Sequence, residues 1–193
     1  GVFGARMKEN VERCGAYAIV VEDPWGSTID INKVEQALTD NPDAKAIAFV
    51  HAETSTGTRS DAEALCGLAA KYNCLSIVDA VTSLGGIELE VDAWGIDAIY
   101  SGTQKCLSCV PGLSPVSFSK RAAQVIRERE SKVQSWFLDL NLVMGYWGSD
   151  AKRSYHHTAP VNSLYALHES LLILQEEGLQ NAWDRHALNH EAL

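Results

Sequence analysis

Short apolar runs alternate with amphipathic stretches through the first half of the chain. Ala16 to Val21 (Ala-Tyr-Ala-Ile-Val-Val) is a continuous, partly β-branched run between Gly15 and an Asp23-Pro24 turn, which predicts a strand buried on both faces. After a loop through Trp25-Gly26-Ser27, Asp30 offers an N-cap to a helix with Val34, Ala37 and Leu38 on its apolar side, ending near Asn41-Pro42. Lys45 to Val50 predicts a second strand. A polar loop, His51-Ala-Glu-Thr-Ser-Thr-Gly-Thr58, leads to a helix expected to be capped by Ser60, with Glu63 at capping-box spacing and Ala62, Leu65, Ala69 and Tyr72 facing inward. Cys74 to Val78 and Asp97 to Tyr100 predict the third and fourth strands, separated by Gly85-Gly86 and a short helical turn near Val91 to Trp94.

Crossovers too long for hairpins make this an α/β pattern with a mainly parallel sheet flanked by helices. From Val116 the order changes to a short Val-Ser-Phe-Ser strand, a charged helix from Lys120 to about Lys132, and a polar, tryptophan-containing stretch through Trp147-Gly148. After Pro160, Leu164, Leu167, Leu171 and Leu174 recur at helical spacing until Gly178, and Leu179 to Leu193 reads as a second amphipathic helix. There is no internal repeat and no linker.

Composition narrows the function classes. With 193 residues, 46% hydrophobic and 21% charged, the chain is sized for one substantial folded domain. Sixteen basic and 25 acidic side chains give a net charge of −9, which repels phosphate backbones and anionic lipid, so neither nucleic acid nor a membrane is an expected partner. Five cysteines in apolar or mixed segments suit reduced thiols, hence an intracellular compartment: the cytoplasm first, with peroxisome or mitochondrion left open. No apolar run approaches the roughly 20 residues of a membrane helix, and the chain begins without an initiator methionine, which reads as part of a larger protein.

In open α/β sheets ligands bind beyond the carboxyl ends of the strands. Thr54 follows the second strand, Asp79 ends the third, and Lys105 lies just past the fourth in Ser101-Gly-Thr-Gln-Lys105. Singly, Lys105 could be a surface lysine and Asp79 a loop cap. A hydroxyl, a carboxylate and an amine at successive strand ends are more specific, and a buried aspartate there requires a cationic or hydrogen-bonding partner. Among competing signals, Cys106-Leu-Ser-Cys109 has redox-dithiol spacing without a helix opening there, and no second Cys/His pair completes a zinc site. His186 and His190 are separated by one helical turn, but Ala187 stands where a zinc protease has glutamate. No glycine-rich dinucleotide or P-loop motif is present.

Four stretches in order, His51-Ala-Glu-Thr-Ser-Thr-Gly57, Val78-Asp-Ala-Val-Thr-Ser-Leu-Gly-Gly86, Ser101-Gly-Thr-Gln-Lys105 and Tyr155-His-His-Thr158, together resemble the class V, fold-type I aminotransferases that use pyridoxal 5′-phosphate (PLP), within them the alanine–glyoxylate and serine–pyruvate group. The opening Gly1 to Met7 also resembles the start of a helix in that family. The resemblance implies that residues 1–193 are most of an incomplete PLP-binding large domain. The upstream phosphate loop, the ring-stacking aromatic residue and the small C-terminal domain with its substrate-binding arginine lie outside it. It implies that Lys105 forms the Schiff base and moves the proton, and that Asp79 pairs with the ring nitrogen. Thr54 would bond the phenolic oxygen, Val81 pack on the ring and Gln104 contact the phosphate. Tyr155 and Thr158 would reach the phosphate of a neighbouring subunit in a homodimer. The implied reaction moves an amino group from alanine or serine to glyoxylate or pyruvate. Alternatives are a cysteine desulfurase or lyase of the same class, in which histidine usually stands where this chain has Gln104, and a non-catalytic fragment of an aminotransferase.

Overall fold

The computed structural model describes residues 1–147 and 154–193. In chain order the elements are α1 (Val2–Arg13), α2 (Ile31–Asp40), β1 (Ala46–Val50), β2 (Ala52–Glu53), β3 (Thr58–Arg59), α3 (Ala62–Lys71), β4 (Leu75–Asp79), β5 (Ala98–Tyr100), β6 (Val116–Phe118), α4 (Lys120–Arg127), α5 (Leu140–Trp147), α6 (Val161–Glu177) and α7 (Leu179–Ala192). The main sheet has the order β1-β4-β5-β6, and β2 and β3 form a separate hairpin. The pairs β1/β4 and β4/β5 are parallel and β5/β6 is antiparallel, so this is an α/β fold with a mostly parallel sheet.

Helix α3 packs on β1 and β4, α2 on α3, and α1 on β1 and β2. The apolar side of α2 (Val34, Leu38) and that of α3 (Leu65, Cys66, Leu68, Ala69) share one core with Phe49, Val78 and Ile99 of the sheet. Val78 and Ser76 of β4 have no solvent-exposed surface. That is the position of an interior strand with neighbours on both sides.

Most predicted elements are present, with instructive differences. Residues 16–21 are not a strand: Tyr17 is 89% exposed and Ile19 and Val20 are half exposed. An apolar run becomes a strand only where a neighbour takes its backbone groups, and this one has no ladder with any described strand. The cap of α3 is Asp61, whose carboxylate accepts from Ala64 N at 3.0 Å, and not Ser60. Ser60 is buried and gives its backbone N–H to His51 O. The charged helix ends at Arg127 because Glu128 to Lys132 offers no apolar side chain to bury. Asp30 caps α2 as expected, accepting from Asn32 N at 2.9 Å. Residues 91–94 form a single turn, with Trp94 N bonded to Glu90 O. The tryptophan-containing stretch holds α5, and Gly148 lies outside the described residues. The leucine stripe of α6 forms a helix but is not buried: Leu164 and Leu171 are exposed, and Leu174 reaches inward to Gly85.

One charged cluster fastens the amino-terminal ends of the central strands. Asp97, buried just before β5, accepts from Ser76 N at 3.0 Å, from the Ser119 hydroxyl at 2.7 Å and from Arg121, whose guanidinium also donates to Cys74 O. Asp97 N in turn donates to Ser76 Oγ at 2.8 Å. Burial alone would raise the Asp97 carboxyl, but Arg121, Ser119 and the Ser76 amide together hold it below the ordinary carboxylate range. Replacing Asp97 by Ala strands these donors, so we expect the free energy of unfolding to fall by about 2–3 kcal/mol. Urea denaturation near neutral pH checks this, and a loss within about 0.5 kcal/mol, typical of a surface substitution, would refute it.

Candidate functional site

Three loops leave the carboxyl ends of neighbouring strands and are bonded to one another. The first is the hairpin after β1. Its turn, Thr54 to Gly57, closes through Thr56 and Gly57 amides donating to Glu53 O, and Gly57 sits at φ +69°, where a side chain would be strained. The second follows β4, whose last residue is Asp79, and carries Val81 and Thr82. The third follows β5 and carries Gln104 and Lys105. His51 N donates to Asp79 O and the Thr82 hydroxyl donates to Ala52 O at 2.6 Å, which ties the first loop to the second. Ala80 N donates to Tyr100 O, the Ser101 hydroxyl to Ala80 O at 2.9 Å and the Cys106 thiol to Thr82 O, which ties the second to the third. Gly86 makes the last contact possible, because a Cβ there would stand 2.5 Å from Cys106 Sγ.

Within this frame Asp79 is 7% exposed. Its Oδ1 accepts from Val81 N at 2.9 Å and its Oδ2 from the Tyr100 hydroxyl at 2.8 Å. No ion pair among the described residues involves it. Burial, then the bond to Asp79 and its negative charge, push the Tyr100 phenol well above its ordinary range, so it stays a donor. Thr54, Gln104 and Lys105 are exposed, and Val81 is half-buried. The Lys105 loop is built around Thr103, fully buried, whose hydroxyl donates to Val110 O at 2.7 Å. Thus Thr54, Val81, Gln104 and Lys105 lie on strand-end loops joined by direct bonds, and Asp79 is the strand residue from which one of those loops departs.

Tyr155 and Thr158 belong to another cluster. Their hydroxyls share a hydrogen bond of 2.6 Å, and the Tyr155 ring meets Tyr146 of α5 edge-on. Next to them His156 is buried, stacked on Trp136 at 4.4 Å and bonded through Nδ1 to His157 Nδ1. The Tyr155 side chain is 70% exposed. Cys106, the first cysteine of the dithiol spacing, donates its thiol to Thr82 O, and burial pushes it up, away from the reactive thiolate. His186 bonds Ala182 O within its own helix.

Two residues escaped the sequence reading. Tyr100 is the register partner of Asp79 across β4/β5, a relation legible only once the strands are aligned. Glu53 is buried beside Thr54 and takes the Ser55 hydroxyl and amide, and also the Phe3 and Gly4 amides at the start of α1. A carboxylate at that helix end answers its positive dipole and its unpaired N–H groups. His51, also buried, has its imidazole pushed down to about 4 by burial with Arg59 adding to it, and packs edge-on to Trp94 at 5.9 Å.

The aminotransferase class-V family model matches residues 7–193. The chain belongs to the class-V aminotransferase family. It is 41% identical over 188 residues to alanine–glyoxylate aminotransferase of Oryctolagus cuniculus, covering 96% of this chain and 47% of that protein. It is 35% identical over 210 residues to (S)-ureidoglycine–glyoxylate transaminase of Bacillus subtilis, covering 100% and 50%. The crystal structure of alanine–glyoxylate aminotransferase from Nostoc sp. superposes with a TM-score of 0.93 at 44% identity, over 98% of this chain and 50% of that one. The chain therefore spans about half the length of the class-V aminotransferases it matches. No helix among its described residues is long and apolar enough to cross a membrane.

The Glu53 carboxyl would be raised by burial alone, but the Ser55 hydroxyl and the Ser55, Gly4 and Phe3 amides hold it below its ordinary value of 4.5. A depressed folded-state value stabilises the protein above the unfolded value and loses that contribution as pH falls through the folded one. Glu53→Gln should thus lower the free energy of unfolding by about 1 kcal/mol at neutral pH. The gap to the parent should close as the medium is acidified below the ordinary carboxylate value, and denaturation curves at stepped pH read both effects.

Proposed function

We propose that this chain forms the PLP-binding core of a transaminase that moves an amino group from alanine or serine to glyoxylate or pyruvate. The observation that carries the reading is the buried Asp79 carboxylate at the end of β4, held by two neutral donors and by no cation among the described residues, where the following loop is bonded to those of Thr54 and Lys105. Desolvating an ionised carboxylate is costly unless it is paired. A protonated ring nitrogen is a partner of the right charge and donor type, and each Asp79 oxygen keeps acceptor capacity for it. The donor set therefore fits the cofactor that class-V aminotransferases use.

When bound, the cofactor supplies an electron sink for a carbanion at the substrate Cα. The chain's own residues do the rest. Asp79 keeps a proton on the ring nitrogen. Lys105 would provide the amine that tethers the cofactor and, once displaced by the amino substrate, would carry the proton from the substrate Cα to the cofactor's C4′. Thr54 supplies a hydroxyl for the phenolic oxygen, Val81 an apolar wall for the ring and Gln104 an amide for the phosphate. Tyr155 and Thr158, exposed and bonded to each other, present their hydroxyls to the phosphate held by a second subunit, which makes the working unit a homodimer. The glyoxylate-using transaminases at 41% and 35% identity support this choice of acceptor over desulfuration.

The test uses the polypeptide that carries this chain, loaded with PLP. Lys105→Ala should abolish the visible absorbance of the tethered cofactor and cut alanine–glyoxylate exchange by at least about 100-fold, the scale of a lost proton-transfer group. Asp79→Asn should slow exchange by a similar factor while weakening PLP binding far less. An unchanged absorbance band in Lys105→Ala would remove the central assignment.

A further inference from the structure

We infer that Tyr100 is a positioning residue for the Asp79 carboxylate, setting how strongly Asp79 draws on the proton of the cofactor's ring nitrogen. The inference rests on the reading of Asp79 given above and goes beyond it. In the parallel ladder Asp79 stands between two register partners, Val50 on β1 and Tyr100 on β5. Val50 is buried and apolar, so the strand pairing offers Asp79 one polar neighbour, the Tyr100 hydroxyl, at 2.8 Å from Oδ2. The other oxygen is fixed by the Val81 amide of its own loop at 2.9 Å. One donor on each oxygen fixes the plane of the carboxylate.

The two donors differ in what they can tune. The Val81 amide is set by the backbone turn, whereas the strength of the phenol as a donor depends on its ring and changes when the ring is substituted. A hydrogen bond to a carboxylate draws off negative charge and weakens its pull on any other proton. Tyr100 thus keeps Asp79 an acceptor for the ring nitrogen without letting it take the proton away. Losing the hydroxyl leaves a buried carboxylate short of a donor, with freedom to turn and a stronger pull on the ring proton.

The experiment measures PLP dissociation constants for the parent protein, Tyr100→Phe, Asp79→Asn and the double variant, with the thermal midpoint of each cofactor-free protein as a check on folding. Tyr100→Phe should weaken PLP binding about fivefold in the parent, while in the Asp79→Asn background the same change should cost less than about twofold, the signature of coupled residues. Equal losses in both backgrounds would mean that Tyr100 only packs, and would overturn the inference. Asp79→Asn binding PLP as tightly as the parent would overturn the Asp79 reading itself, a separate result. A second readout, the nitrogen magnetic-resonance shift of ring-labelled PLP, should move toward neutral pyridine in Tyr100→Phe. It should move toward pyridinium when a ring-fluorinated tyrosine, a more acidic donor of nearly the same shape, replaces Tyr100. A shift toward neutral pyridine, or none, in the fluorotyrosine protein would refute the inference even if Tyr100→Phe failed to fold.

Discussion

A carboxylate taken out of water must find compensation, and the site is organised around that constraint at Asp79. The residue ends an interior strand, so burial is imposed by the sheet. Its immediate partners are an amide and a phenol, both neutral. Two hydrogen bonds to a charged acceptor offset part of the desolvation cost but leave the charge unbalanced. Such a group calls for a cation, and the neighbouring strand-end loops carry an exposed hydroxyl, Thr54, and an exposed amine, Lys105.

The arrangement needs the loops to hold register with one another as well as with their own strands. Few of the joining bonds run between side chains; the hydroxyls of Thr82 and Ser101 and the thiol of Cys106 all find backbone carbonyls on the next loop. Such contacts fix the course of the chain and leave Thr54, Gln104 and Lys105 exposed. The close approach at Gly86 has the same effect, since any side chain there would drive the Lys105 loop away from the Asp79 loop. Sites built on bonded loops above a rigid sheet hold their geometry better than sites on free ones.

The interior strands and their helices were legible because their apolar runs are continuous or helically spaced, and both kinds of burial are met within the chain. Residues 16–21 carry the same signal but lack a ladder, so the pattern alone overstates them. Periodicity reports a preference for burial and does not say what supplies the partner, as the exposed leucines of α6 also demonstrate. The residues with reactive groups could be read from their places at strand ends. Their supports, Tyr100 and Glu53, could not, because a register partner and a helix cap fifty residues away are properties of the fold (|i−j| = 49 for Glu53 and Gly4).

Asp97 and Asp79 separate structural from chemical burial more clearly than either does alone. Both are buried aspartates beside β4 and β5, at opposite ends of the pair. Asp97 has its cation in Arg121, together with Ser119 and the Ser76 amide, and its charge is spent on holding strands and α4 together. Asp79 has comparable burial and no such cation among the described residues. Residue type and depth therefore do not distinguish them; the charge of the partners does. The amino-terminal end of the sheet closes its electrostatics within the chain and serves as the anchor. At the carboxyl end, where the Asp79 and Lys105 loops are bonded to each other, no cation among the described residues closes them.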